Sequence, residues 1–207
     1  MDEIEYDKNS RKPLVAIFGD LYVRDNDTMN QGLIRAIEEA GGEAVTTPYH
    51  EYAKITIENM FRRALERGEH VETNVNRALL YVVKFMDERY YKPFSRHLGP
   101  APVIKPKLLE KKLEHFNIDR LHGGESYDNI LKIFYLKENY PDISLFVQTN
   151  PSYCCPALVT EAMTRRIKEL TGVPIVTLTY DGTSDQMNDA IVPYIQKAVR
   201  VSATAST

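Results

Sequence analysis

The stretch from residue 14 to residue 47 constrains the fold most, because it has the pattern of a complete βαβ unit. A short apolar run, Leu14 to Phe18, stops at the turn Gly19-Asp20 and predicts a strand. A polar loop, Tyr22 to Asp27, then leads to a predicted helix from Thr28 to Ala40, which Gly41-Gly42 ends. Glu43 to Thr47 predicts a second strand. Strands joined in this way are parallel and have a right-handed crossover, which indicates an α/β fold.

The same alternation returns in the second half of the chain. It predicts a helix over Ser126 to Tyr140, a strand over Ile143 to Val147, a helix over Pro156 to Leu170, a strand over Ile175 to Thr179 and a last helix from Asp185 or Asn188 to about Val199. We therefore expect a four-stranded parallel sheet in the order 2-1-3-4, flanked by helices, in a single Rossmann- or flavodoxin-like domain spanning residues 1–207. Ligands of such sheets bind beyond the carboxyl ends of the strands.

Between the second and third strands the pattern is helical only. One helix is marked by Ile55, Met60, Phe61, Ala64 and Leu65 and is broken near Gly68; a second is marked by Val71, Val75, Leu79, Val82, Val83 and Met86. A loop over residues 98–106 precedes a possible short helix over residues 108–116. We interpret residues 51–117 as a helical insertion that serves as a cap or a packing surface.

Charge and hydropathy exclude some classes of partner. A formal net charge of -3 and a pI near 6.0 do not favour nucleic acid, whose partners usually carry a basic face. No apolar run approaches the roughly 20 residues that span a bilayer. The acidic start Met1-Asp2-Glu3 is unlike a signal peptide. We expect a cytoplasmic protein that does not bind membranes.

Both cysteines lie in the segment Gln148 to Pro156, between an apolar run and an amphipathic run. Pro156 suits the first position of a helix, so Cys154 and Cys155 should lie at a strand-to-helix turn. The N–H groups and the helix dipole there favour a thiolate, which binds soft metals, iron–sulfur clusters or electrophiles. A disulfide between adjacent cysteines would strain the backbone, so we expect none. The alternative is that both are small buried residues.

Three loops should meet at the carboxyl edge of the sheet: Gly19 to Asp27, Asn150 to Cys155, and Tyr180 to Ser184. The ligand-binding candidates in them are polar side chains, namely Asp20, Arg24, Asn26 and Asn150. The guanidinium of Arg24 can bind a phosphate or carboxylate with two N–H groups. The alternative is an ordinary connection in which Asp27 caps the next helix. The chain has no Gly-x-x-x-x-Gly-Lys-Ser/Thr loop, so we do not expect it to hydrolyse ATP itself.

Several strings resemble the 2-hydroxyacyl-CoA dehydratase family, and more narrowly its branch related to acyl-CoA dehydratase activases. They are Ile17 to Asp27, Glu43 to Tyr49, Asn150 to Met163 and Thr177 to Thr183. The resemblance extends from about Leu14 to Pro193, and Cys154-Cys155-Pro156 is its most specific part.

The resemblance implies a role for the cysteine turn. Dehydratase subunits carry an aromatic-Cys-Asp-Pro turn whose cysteine binds a [4Fe–4S] cluster. Cys154, which follows Tyr153, matches that ligand, and Cys155 takes the place of the aspartate as a second candidate metal ligand. In the family, an ATP-hydrolysing activator delivers an electron to the cluster, which permits water elimination from a 2-hydroxyacyl-CoA. A cluster takes about four thiolates, and this chain has 2 cysteines.

The first hypothesis is therefore a domain of a dehydratase- or activase-like system that is not active alone. It contributes a cysteine to an iron–sulfur cluster completed by other family domains or subunits, for ATP-coupled electron transfer to an acyl-CoA-type substrate. A second hypothesis is a non-catalytic assembly or regulatory domain that binds a partner through the insertion helices. A third is a metal-free α/β domain that binds a small ligand at the strand ends.

Overall fold

The computed structural model describes residues 12–47, 49–98, 111–118, 125–183 and 185–205. They form two units, one made of the residues up to Thr46 together with those from Tyr140 onward, the other of Thr47–Asn139. The first unit contains the sheet, and the second is helical. No helix in these ranges is long and apolar enough to cross a membrane.

The sheet confirms the predicted fold. Its strands are β1 (Leu14–Gly19), β2 (Glu43–Thr46), β3 (Ile143–Pro151) and β4 (Ile175–Tyr180), all parallel and in the order β2-β1-β3-β4. In register, Val15 pairs with Ala44 on one side and with Leu145 on the other. Strand β3 continues to Pro151, beyond its predicted end, so it carries Gln148 and Asn150 within the sheet.

The helices follow in chain order as α1 (Leu21–Asp25), α2 (Leu33–Glu39), α3 (Tyr49–Arg67), α4 (His70–Tyr91), α5 (Ser95–Leu98), α6 (Ser126–Asn139), α7 (Cys155–Ala162), α8 (Thr164–Thr171) and α9 (Val192–Ala205). Short 3₁₀ turns cover Glu114–Phe116 and Met187–Ile191. Of the predicted short helix over 108–116, residues 111–113 are helical and Glu114–Phe116 form a 3₁₀ turn, while residues 108–110 lie outside the described residues, as does the predicted loop beyond residue 98.

Alternate residues of the strands face the two sides of the sheet, as a pleated strand requires. Val15 and Ile17 belong to the fully buried apolar cluster that includes Ile37 of α2 and Ile195 of α9. On the other side, Phe18 packs edge to face on Phe146 of β3, with ring centroids 6.2 Å apart. Burial of both faces explains why β1, and β3 as far as Val147, are mostly apolar.

The predicted polar loop Tyr22 to Asp27 is wrong in its first part, which forms the one-turn helix α1. The carboxylate of Asp20 accepts hydrogen bonds from the backbone N–H groups of Tyr22 and Val23, at 3.0 and 2.8 Å. It therefore satisfies two of the N–H groups that a helix start leaves open. A five-residue helix is too short to show an apolar period in the sequence.

Two predicted helices also differ in extent. Helix α2 begins at Leu33 rather than Thr28, because Gln31 and Gly32 have φ values of 56° and 71° that no helix accommodates. The helix predicted over Pro156 to Leu170 is interrupted at Met163 and forms α7 and α8. There the Thr164 hydroxyl donates to the carbonyl of Glu161, a side-chain bond that competes with the helical pattern.

The helical unit confirms the predicted insertion between the second and third strands. Helices α3 and α4 are antiparallel, separated by Gly68 at a φ of 71°. Near one end Lys54 Nζ lies 2.8 Å from Asp87 Oδ2, and near the other the Arg77 guanidinium lies 5.7 Å from the Phe61 ring centroid. The unit also includes α6, which the sequence pattern associated with the α/β alternation.

Candidate functional site

The cysteine turn links the end of β3 to the start of α7. The Cys154 N–H donates to the carbonyl of Pro151 at 3.3 Å, and the Cys154 carbonyl accepts the N–H of Leu158 at 3.1 Å. Cys154 is extended, with φ -70° and ψ 104°, and stands at the N-cap of α7. The helix starts at Cys155, one residue before the predicted start at Pro156.

The two thiols differ in their surroundings. Cys154 is half-buried and Cys155 is exposed, and neither is in a disulfide. Both lie at the amino end of α7, where the helix carries a partial positive charge. Cys154 combines this position with partial shelter from solvent, so it is the better placed of the two to bind a metal centre.

Tyr153 precedes the thiols in a strained conformation. Its φ is 65°, a left-handed value that is rare for a bulky side chain, and its side chain is 95% exposed. Because the ring is exposed, its burial does not compensate for the strained backbone. The conformation instead directs the chain from β3 into α7. Such strain is often found where a protein positions a functional group.

Buried amides stand beneath the turn. Asn150, 4% exposed, donates from Nδ2 to Thr179 Oγ1 at 3.0 Å, and Gln148, fully buried, donates from Nε2 to the carbonyl of Ala157 at 3.0 Å. The side-chain oxygens of both amides make no hydrogen bond to any described residue. A buried acceptor without a donor costs about 1–3 kcal/mol. Asn150 therefore has a free acceptor at the strand end where it was predicted to bind a ligand.

Asp20 lies at the carboxyl end of β1, next to β3. Its N–H donates to the carbonyl of Thr149 at 2.8 Å, while its carboxylate caps α1. The preceding Gly19 has a φ of 115°. The ligand-binding role of Asp20 remains a prediction, and the hydrogen bonds of its carboxylate give it a structural role in the same loop.

Arg24 does not lie at the surface of this loop. It is fully buried, and its Nε and Nη2 groups donate to Asp25 Oδ2 at 3.1 and 2.7 Å. Asn26 Oδ1 accepts the backbone N–H groups of Thr28 and Met29, at 3.1 and 3.0 Å. The structure thus uses both predicted ligand-binding side chains to shape the loop. The alternative prediction, that Asp27 caps the next helix, is wrong, because the N-cap of α2 is Gly32.

Hydrogen bonds join the three loops at the sheet edge. The first loop meets β3, one residue before the second loop begins, through the bond between Asp20 and Thr149. The second and third meet where the Ser152 N–H donates to the carbonyl of Tyr180, at 3.2 Å. Gln31, which lies between the first loop and α2, donates from Nε2 to the carbonyl of Asp185, just beyond the third loop, at 2.8 Å.

A buried polar cluster that the sequence did not reveal lies behind the third loop. The Tyr180 hydroxyl donates to Asn188 Oδ1 at 2.8 Å, and Asn188 Nδ2 donates to the carbonyls of Asn30 and Gln31. Burial raises the pKa of the Tyr180 phenol well above its usual value. Nearby, hydrogen bonds from Thr183 lower the pKa of the exposed Asp181, which forms a turn of the kind predicted for Asp181 to Thr183.

Among the described residues, no three His, Cys, Asp or Glu side chains stand close enough together to hold one metal ion. The chain's donor set at the turn is therefore Cys154 with its neighbour Cys155. One thiolate at the amino end of a helix fits a single corner of a [4Fe–4S] cluster. The remaining thiolates are not available in this sequence, which has 2 cysteines.

Comparisons of the chain with protein families, with curated proteins and with solved structures found no match.

Proposed function

We propose that this chain is a domain of a 2-hydroxyacyl-CoA dehydratase- or activase-like protein. In it, Cys154 supplies one thiolate to a [4Fe–4S] cluster whose other ligands come from further domains or chains of the same system. When bound, such a cluster supplies a low-potential electron, received from an ATP-hydrolysing activator, for chemistry on an acyl-CoA-type substrate. The domain has no activity without those partners.

The observation that carries the proposal is the position of Cys154. It is the N-cap of α7, at the carboxyl end of the central strand β3, and it is half-buried. Ligands of parallel α/β sheets bind at this edge. The helix dipole lowers the cost of holding a thiolate there.

The residues around Cys154 would orient it and limit its access to water. The strained backbone at Tyr153 fixes the direction in which the chain leaves β3. The free side-chain oxygen of Asn150 offers an acceptor at the same strand end. Cys155, exposed and adjacent, remains a second candidate ligand, but two neighbouring thiolates rarely bind one iron together.

Anaerobic reconstitution with ferrous iron and sulfide tests the proposal, with excess 2-mercaptoethanol present to supply the missing thiolates. We expect the wild-type chain to develop the brown absorbance of thiolate-bound iron and to retain iron after desalting. Cys154→Ser should lose most of both signals. Cys155→Ser is the matched control, because it removes an adjacent and more exposed thiol, and it should keep most of the bound iron.

Two results would contradict the cluster proposal. One is iron binding by the wild type no greater than by the Cys154→Ser/Cys155→Ser double variant. The other is loss of iron in Cys155→Ser with retention in Cys154→Ser, which would assign the ligand to the exposed cysteine. Circular dichroism of each variant shows whether the fold is unchanged.

A non-catalytic assembly domain is the second candidate, and one observation favours it. Helix α4 exposes a row of large apolar side chains, which is typical of a surface that binds another protein. On this candidate, Cys154→Ser leaves partner binding intact, whereas changes on α4 abolish it.

A further inference from the structure

Helix α4 has two distinct sides, and only one of them packs on α3. The packed side includes Thr73 and Asn76, which are buried. On the same side, Asp87 accepts from Lys54 Nζ at 2.8 Å and lies 3.1 Å from His50 Nε2. The pairing of α3 with α4 is thus already complete on this side.

The other side is an exposed row that we call the α4 stripe. It consists of seven side chains, none of them polar: Val71, Val75, Ala78, Leu79, Val82, Phe85 and Met86. At about 100° per residue they fall on one face, roughly opposite the buried Thr73 and Asn76. All seven are exposed, the six larger ones by 42% to 71%.

The stripe is as large as the biggest apolar patch on an ordinary single chain, and patches of that size are often functional. Its side chains leave about 500 Å² of apolar surface open, at the upper end of what a single soluble chain exposes in one patch. Spacings of three and four residues over four turns also match the seam along which helices pair. The geometry therefore points to a helix that packs on another helix.

We propose that the occupant is a second copy of this chain, whose α4 packs antiparallel on the first across a two-fold axis between Ala78 and Leu79. Reversal about that point places six of the seven stripe residues opposite another apolar residue of the stripe, and it places Phe85 opposite Glu72. Reversal exchanges Val71 with Met86, Val75 with Val82, and Ala78 with Leu79. Such self-complementarity is what a two-fold interface requires, and it sets the smallest side chain of the stripe against Leu79.

Charge and area agree with the antiparallel arrangement. Glu72 borders the amino end of the stripe and Arg89 continues its carboxyl end, and both are exposed. In an antiparallel pair each Glu72 lies about one helical turn from Arg89 of the other copy, within reach of its long side chain, whereas a parallel pair would place like charges together. Two copies together would bury on the order of 1,000 Å², about the minimum for a specific interface.

Sedimentation velocity of the full chain over a wide concentration range tests the proposal. We expect a monomer–dimer equilibrium. Val75→Glu/Val82→Glu, which places four carboxylates near the axis, should weaken it on the order of 100-fold or more. The matched control is Asn74→Glu/Tyr81→Glu, with the same charges one residue earlier and off the stripe, and it should dimerise like the wild type.

A second measurement tests which residues meet at the axis. In a Cys154→Ser/Cys155→Ser background, Leu79→Cys should form a disulfide-linked dimer under mild oxidation, whereas Tyr81→Cys should not.

Exchange of charges tests the antiparallel direction. Glu72→Arg should weaken the dimer, and addition of Arg89→Glu should restore it.

Three results would overturn the proposal. The first is a wild-type chain that stays monomeric at every concentration. The second is a dimer that tolerates Val75→Glu/Val82→Glu. The third is a monomer in which the Leu79→Cys thiol resists maleimide, because then another part of the chain covers the stripe.

Discussion

Gly19 and Thr149 are paired across β1 and β3 so closely that a Cβ atom on Gly19 would overlap the carbonyl oxygen of Thr149. The same carbonyl accepts the N–H of Asp20 at 2.8 Å. The close approach of the carboxyl ends of β1 and β3 therefore depends on this one glycine. This contact positions the loop of Asp20 beside the strand that leads to the cysteine turn.

Gly19→Ala should strongly destabilise the protein. The substitution requires both a φ of 115° and displacement of the β3 backbone, so we expect a loss of about 3 kcal/mol in the free energy of unfolding. Gly182→Ala is the control, because that glycine also has a positive φ of 84° but no neighbour near its Cβ position. It should lose about 1 kcal/mol. Urea denaturation measures both, and equal losses would show that the contact with Thr149 is unimportant.

Tyr180→Phe should destabilise the third loop. The variant leaves Asn188 Oδ1 buried without its hydroxyl donor, which we expect to cost about 1–2 kcal/mol of the free energy of unfolding. Tyr194→Phe, at an exposed position of α9, should change it by less than about 0.5 kcal/mol. If both variants unfold at the urea concentration of the wild type, the hydrogen bond to Asn188 does not contribute to stability.

The sequence predicted the strands, their order and the helical insertion because each rests on a local pattern. β1 is an apolar run that ends at a glycine, and Gly68 separates two periodic helices. Helix α1 was missed because one turn has no period, although Asp20 ahead of Leu21 is a typical capping residue. The interruption at Met163 was missed because neither glycine nor proline marks it.

The site was only partly predictable, since its side chains are placed by contacts distant in sequence. The strand-to-helix position of the thiols followed from Pro156 and the apolar run before it. Arg24 was expected in a ligand loop, but its burial against Asp25 depends on the packing of the whole sheet unit. The bond between Asn188 and Asn30 spans 158 residues, and neither asparagine differs in its local pattern from an ordinary turn residue.

Tyr153→Gly should stabilise the protein slightly. A left-handed φ costs an L-residue about 1–2 kcal/mol, and glycine gives back about 0.5–1 kcal/mol through its greater freedom when unfolded. We therefore expect a net gain of about 0.5 kcal/mol, measured by urea denaturation. Tyr194→Gly, in the first turn of α9, should instead lose stability, because glycine is less favourable in a helix than tyrosine. A loss at both positions would mean that the Tyr153 ring makes stabilising contacts despite its exposure.

Asp128 in α6 should make stability depend on pH in the acidic range. Burial, with Glu125 as a smaller cause, raises the pKa of its carboxyl from 3.8 to about 6, against the opposing effect of Lys132. The folded state then holds a proton between pH 4 and 6 that the unfolded state has released. The contribution of Asp128 to the free energy of unfolding must therefore fall as the pH rises through this range, by about 2–3 kcal/mol, and then level off.

Asp128→Asn tests this assignment, because the amide keeps the shape of the protonated carboxyl and cannot ionise. The variant should be more stable relative to the wild type at pH 7.5 than at pH 4.5, as measured by urea denaturation at each pH. Asp142→Asn, in an exposed turn before β3, is the control and should show no such change between the two pH values. If the difference between Asp128→Asn and the wild type is the same at both pH values, the carboxyl of Asp128 ionises as readily in the folded chain as in the unfolded one.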